Sequence, residues 1–219
     1  LLSSNLCSLI QYRDRLAFSV IWRIRKSDGH VIDVRFVKSI INSKASLTYE
    51  KAQEMIDDRK QNSSLHKNLR GLNQLAKILK GKRLERGALV LARADEIRFV
   101  EVESETHDRD ASLEIQHKKM VETNSMVEEF MLLANISVAN KLLQVFPDLA
   151  LLRRHPKPSK QNFEDLVESA KVKGFSIKPD DGRSLSESLD KARISNDYFF
   201  NLMLRMIATR CMTPAAYFC

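Results

Sequence analysis

The chain has 219 residues, with 36 Lys and Arg against 28 Asp and Glu, a formal net charge of +8, and 43% hydrophobic and 29% charged residues. That length holds one substantial core or two small ones, and with only 6 Gly and 5 Pro the composition excludes collagen-like, low-complexity and wholly disordered chains. Cys7, Cys211 and Cys219 form no C-x-x-C pair and no metal-ligand spacing, which fits a reduced compartment.

Leu1 to Leu9 carry neither a basic n-region nor an initiator Met, so they do not read as a signal peptide. The chain stops at Tyr217-Phe218-Cys219 without a polar tail, and both ends read as cut, the expectation for an internal fragment of a longer protein. Leu16 to Ile24 is rich in β-branched and aromatic residues, Ser27-Asp28-Gly29 is a turn signal, and Val31 to Ile41 is a second such run, which together predict a β-hairpin. Ser46 or Thr48 caps a helix expected over about Tyr49 to Arg59, and Arg59 to Ser64 reads as a loop. Leu65, Leu69, Leu72, Ala76 and Leu79 recur at helical spacing, with Gly81 and Gly87 punctuating the end of that helix.

Ala88 to Leu91 and Ile97 to Val102 are expected to pair as strands around Ala94-Asp95, with a polar break at Thr106 to Asp110. From about Leu113 to Phe146 a long helical stretch is expected, apolar on nearly every face between Phe130 and Ala139 and so buried in its middle, with Pro147 as its stop. Its Asn135, Asn140, Lys141 and Gln144 are too polar for hydrocarbon, so no membrane partner is expected. Leu149 to Pro158 reads as a loop. A helix over Asn162 to Lys173, a short strand at Phe175 to Ile177, a small helix over Ser184 to Ala192 and a last helix over Tyr198 to Cys211 complete the chain. Without a repeat or a linker, one α+β domain is expected, with mixed or antiparallel strands and surrounding helices.

The phosphate-loop, dinucleotide, zinc-protease and nucleophile-elbow motifs are absent. Within His107-Asp108-Arg109-Asp110 the guanidinium would compete with a cation, and Asp57-Asp58 and Asp180-Asp181 read as surface features of helix ends and turns, so no metal site is nominated. The basic clusters carry more. Lys77, Lys80, Lys82, Arg83 and Arg86 read equally as a solvated helix face or a phosphate contact. Arg153, Arg154, His155 and Lys157, in a loop fixed by Pro156 and Pro158, suit a phosphate grip, with a structural salt-bridge role as the other reading.

Six ordered blocks then point to a family. L-C-S-L at Leu6, D-R-L-A-F-S-V-I-W at Asp14, S-K-A-S-L-T-Y-E-K-A-Q at Ser43, N-S-M-V-E-E-F-M-L-L-A-N at Asn124, L-L-R-R-H-P at Leu151 and A-T-R-C-M-T-P-A-A-Y-F-C at Ala208 resemble the ribonuclease II (RNB) family, most narrowly its exosome-type branch. The resemblance implies that residues 1–219 are the central part of a single RNB domain, truncated at both ends. It also implies a parent enzyme that is a processive 3′-to-5′ exoribonuclease, releasing nucleoside monophosphates from single-stranded RNA with Mg²⁺ by two-metal hydrolysis. The family's aspartate cluster and its S-P-I-R-R-Y motif do not occur here, so the fragment alone is expected to be inactive, with Mg²⁺ held outside it. Exosome core subunits are the implied partners of the parent, and its place is the nucleus, the cytoplasm or both. The other reading is a catalytically inactive basic module of the same fold that binds RNA or scaffolds.

Residue by residue, the resemblance puts Tyr49 beside the 3′-terminal nucleotide and a glutamate of the Glu128-Glu129 pair at the terminal ribose, where a carboxylate accepts from the 2′-OH. Which glutamate faces the RNA stays open. Glu128 shares a face with Met131 and Asn135 that leans toward the buried side, leaving Glu129 toward solvent; Asn135 reads as a pocket residue or a satisfied core amide. Trp22, in an apolar strand, reads as packing rather than a stacking platform.

Overall fold

The alternation from Asp14 onward forms the predicted hairpin: strand β1 (Asp14–Ile24) pairs antiparallel with β2 (Val31–Asn42), Leu16 opposite Ile40 and Trp22 opposite Val34. This computed structural model describes residues 5–89, 97–102, 112–117, 120–195 and 197–219. Along β1 the less exposed side chains are at first the odd positions Arg15, Ala17 and Ser19, then the even positions Trp22 and Ile24. A two-stranded ribbon twists strongly enough to turn opposite faces inward along its length. The turn is closed by Gly29 at φ +66, where an added Cβ would stand 3.1 Å from Ile78 Cγ2. Glycine is required there both for the left-handed backbone and for the close approach.

Two compact units divide the chain: Leu1–Gly81 with Val121–Ala150, and Lys82–Met120 with Leu151–Cys219. The first holds the hairpin, α1 (Tyr49–Asp57), most of α2 (Ser64–Glu85) and α3 (Glu122–Val145). Thr48 is the N-cap of α1, its side chain accepting from Lys51 N, one of the two caps expected from sequence. Helix α2 runs through Gly81 to Glu85, and its buried residues are His66, Asn73 and Ala76, whereas Leu72 of the expected stripe is exposed. The polar pair is satisfied: Ser63 Oγ and His66 Nδ1 lie 2.7 Å apart, and Asn73 Nδ2 donates to Glu122 Oε2 at 2.9 Å.

In the second unit, β3 (Ile97–Val102) pairs antiparallel with β4 (Ser112–His117). Of the expected partner Ala88 to Leu91, the described Ala88 and Leu89 lie outside any strand, and the stretch expected to start a long helix is a strand; α3 begins only at Glu122. The His107 to Asp110 cluster and Ala94-Asp95 lie outside the described residues. The expected loop at Leu149 to Pro158 contains β5 (Leu152–Arg154), which pairs antiparallel with β6 (Ala216–Phe218).

The core of this unit lies among α4 (Glu164–Lys171), α5 (Gly182–Lys191) and α6 (Tyr198–Arg210), where Leu166, Leu189 and Leu204 are fully buried. Asp181 caps α5 by accepting from Ser184 N at 2.9 Å, and Asp197 caps α6 by accepting from Phe200 N at 3.0 Å. The cap keeps the Asp181 carboxyl below its usual range, through the Ser184 backbone and hydroxyl donors. Phe175 to Ile177 is not a strand: the Phe175 N–H donates to Ala170 O at the end of α4, and Ile177 drops into the core.

Candidate nucleic-acid interface

Four of the sequence-predicted site residues, Tyr49, Glu128, Glu129 and Asn135, fall in the first unit and three, Arg153, Arg154 and His155, in the second. In the first, α1 is tied to α3 at its opening residue. Thr123 Oγ1 donates to the Tyr49 carbonyl at 2.8 Å, and the Thr123 N–H donates to Gln53 Oε1 at 3.2 Å. The buried residues of α3 are Thr123, Met126 and Glu129, an i, i+3, i+6 stripe. The stripe that begins on Tyr49 therefore carries Glu129 about 9 Å further along the helix, at 1.5 Å per residue.

This reverses the expectation for the glutamate pair. Glu129 is 4% exposed and Glu128 is half-buried, while Met131, on the face expected to be inward, is 56% exposed. Asn135 is exposed as well, so it is neither a core amide nor on the buried stripe. The middle of α3 is likewise not buried all round, since Ile136 stands exposed on it. The cause is tertiary: α3 turns inward the face that carries Thr123, which is hydrogen-bonded to α1, rather than the face with the richest run of apolar residues. Tyr49 is 39% exposed, and its carbonyl is held in the seam where α1 meets α3.

Helices α2 and α3 are joined by polar contacts. Lys77 Nζ stands 2.8 Å from Glu122 Oε2, and Lys80 Nζ donates to Ser125 Oγ at 2.9 Å. The Lys77 ammonium and, after it, the Asn73 amide hold the Glu122 carboxyl below the usual glutamate range. Two of the five residues in the first basic cluster thus serve helix packing. Trp22 does the same for the hairpin: its indole N–H donates to Ser137 Oγ at 3.0 Å, and that hydroxyl donates to Leu133 O at 2.8 Å.

In the second unit the β5–β6 ladder places Arg153 opposite Tyr217 and Arg154 opposite Ala216. The Arg153 guanidinium lies 5.9 Å from the Tyr217 ring centroid, and that of Arg154 lies 4.5 Å from the Phe218 ring centroid. His155 Nδ1–H donates to the Thr213 carbonyl at 3.1 Å, which directs the other ring nitrogen away from that bond. Sequence reasoning found the three basic residues and missed their aromatic partners. The signal was the Tyr217-Phe218 pair, but its strand partner lies some sixty residues earlier in the chain.

Other charged clusters are self-contained. A cavity of about 500 Å³ beside α5 is lined by Arg183, Glu187, Asp190, Arg193 and Arg205. There Arg205 pairs with Asp190, and Arg183 Nε stands 3.4 Å from Glu187 Oε1. A second cavity, about 650 Å³ along α4, is lined by Phe163, Val167, Glu168 and Lys171 and touches none of the predicted site residues. Among the described residues no three His, Cys, Asp or Glu side chains converge as they would on a cation, so these residues do not fit a two-metal centre. No described helix is long and apolar enough to cross a membrane.

The RNB domain family matches residues 1–218. The chain is 54% identical, over all 219 residues, to the exosome complex exonuclease RRP44 of Mus musculus and spans 22% of that protein. Its fold is shared with Mycoplasma genitalium RNase R, solved in complex with ribose-methylated single-stranded RNA, at a TM-score of 0.79 and 20% identity over 99% of this chain and 33% of that one. It is shared also with yeast Ssd1, described as a pseudonuclease, at 0.68 and 18% identity over 96% of this chain and 25% of that one. The α+β architecture expected from sequence is therefore that of known RNB proteins, and the chain belongs to the RNB domain family.

Proposed function

We propose that the chain is the central part of one RNB domain in an exosome-type 3′-to-5′ exoribonuclease, which degrades single-stranded RNA to nucleoside monophosphates. The observation that carries this reading is the identity of 54% along the whole chain to an exosome exonuclease. The seam in the first unit supplies the chemistry of an RNA-specific end. Buried Glu129 accepts a hydrogen bond from the terminal 2′-OH, a group DNA lacks, and Tyr49 packs against the terminal nucleotide. In the second unit Arg153, Arg154 and His155 are the proposed phosphate contacts.

Mg²⁺ is the proposed cofactor of the parent enzyme, supplying an activated water and stabilising the leaving oxygen. Its ligands are proposed to lie outside these 219 residues, in keeping with the 22% of the mouse relative that the chain spans, and the fragment alone is proposed to be inactive. Exosome core subunits are the proposed partners, with the nucleus, the cytoplasm or both as the place of action. The second reading, an RNA-binding module without catalysis, is kept because the same fold serves a protein described as a pseudonuclease.

The test is a 5′-labelled single-stranded RNA incubated with the full-length protein in Mg²⁺. Shortening from the 3′ end with release of nucleoside monophosphates is expected. Binding without shortening selects the second reading, and cleavage by residues 1–219 alone overturns the placement of the metal ligands.

A further inference from the structure

The β5–β6 ladder has a two-residue period, so Arg153 and Tyr217 stand on one face, and Leu152, Arg154, Ala216 and Phe218 on the other. Tyr217 is 68% exposed, although the Arg153 guanidinium lies 5.9 Å from its ring centroid. One side of the ring thus meets a cation and the rest faces solvent. Among the described residues no carboxylate pairs with Arg153 or Arg154, and their guanidinium groups lie over the two rings. This differs from Arg183, Arg193 and Arg205 of the same unit, each of which has an acidic neighbour.

A guanidinium oriented by an aromatic ring keeps its N–H donors available, and its planar fork matches a phosphate. An exposed phenol ring beside it offers a π-face that any base can stack on. An exposed apolar ring alone would suit many partners. Arg153, which has no carboxylate partner among the described residues, stands beside the ring and Arg154 adds charge on the other face, which suits a polyanion with aromatic groups, single-stranded RNA.

We propose that Arg153 and Tyr217 form a clamp for one nucleotide of single-stranded RNA, Tyr217 stacking on its base and Arg153 holding the adjoining phosphate. The clamp rests on the proposed RNA-degrading function and adds to it a base-stacking residue. Arg154, lying over Phe218 on the other face, contributes charge but no second stacking surface.

The experiment uses the full-length protein, a fluorescein-labelled oligouridylate for affinity, and oligonucleotides with 2-aminopurine at successive positions, whose fluorescence is quenched by stacking. Tyr217→Leu is expected to weaken binding about ten-fold or more and to abolish quenching at one position, while Tyr217→Phe keeps both. Arg153→Ala is expected to lower the slope of log affinity against log salt by about 0.7, and Arg153→Lys to restore it. The two conservative variants keep the test decisive where a truncation fails to fold. Wild-type affinity, quenching and salt slope in Tyr217→Leu and Arg153→Ala, in a protein that still binds and degrades RNA, overturn the clamp alone. A wild-type protein that does not bind RNA overturns the clamp together with the function. Polyglutamate binding that is as tight as RNA binding, and lost in the same variants, assigns the face to an acidic protein instead and overturns the clamp.

Discussion

Replacing Thr123 with Val removes one oxygen from the place where α1 meets α3. Thr123 is 1% exposed, and its hydroxyl donates to the Tyr49 carbonyl at 2.8 Å. Valine keeps the shape and the β-branch, so no cavity forms and the loss is that of the hydrogen bond itself. The net worth of such a bond is about 0.5–1.5 kcal/mol. Because the Tyr49 carbonyl also heads the first turn of α1, it retains a helical donor in the variant, and about 1 kcal/mol is the expected cost. The Thr123 N–H to Gln53 Oε1 bond is untouched, so Gln53→Ala probes the same seam separately. Urea unfolding of the two single variants and the double should show a coupling of about 0.5 kcal/mol or more, as for groups that share one partner. The functional readout is a rise in KM for RNA, since Tyr49 loses its tie to the helix that carries Glu129. A stability change below about 0.3 kcal/mol together with an unchanged KM would refute the seam as the device that positions Tyr49.

Leu204→Ala in the fully buried core of the second unit should cost about 2–5 kcal/mol in urea unfolding; a cost like that of a surface change would mean the core is misplaced. Gly182→Ala would normally stabilise a helix, but its new Cβ would stand 2.7 Å from the Gly87 carbonyl oxygen, so a destabilisation of about 1–3 kcal/mol is expected and a gain would contradict the packing. Glu122, with its carboxyl held below the usual range in the folded state, contributes stability that is full above the ordinary glutamate value and lost as pH falls through the lowered one. Carboxyl NMR titration should show that value rise in Lys77→Met; with both side chains more than half exposed, the associated stability stays under about 1 kcal/mol.

The elements read most clearly from the residues are those whose signals are local. Period-two alternation and Asp28-Gly29 mark the hairpin, and Thr48 stands where a cap is needed. Pairing over distance is not local. Leu113 and Ile115 alternate as a strand does, but they adjoin a helical stretch and read as its start, and β5 and β6 have three residues each, too few to show a period. The glutamate pair shows the same limit at the site. Apolar neighbours pointed to Glu128, whereas the inward face of α3 is set by a threonine hydroxyl meeting the backbone of α1. Arg153 and Arg154 were legible as charge, but their aromatic supports were not, because strand pairing rather than sequence distance brings them together.

We propose that the α1–α3 seam reads the terminal ribose through Glu129. The direct measurement compares Glu129→Gln and Glu128→Gln in the full-length protein on RNAs ending in ribose or deoxyribose. An amide in place of a carboxylate exchanges a bond of about 1.5–3 kcal/mol for one of about 0.5–1.5, so ribose preference should fall about ten-fold in Glu129→Gln and stay unchanged in Glu128→Gln. Unchanged preference in Glu129→Gln, or an equal loss in Glu128→Gln, would contradict it.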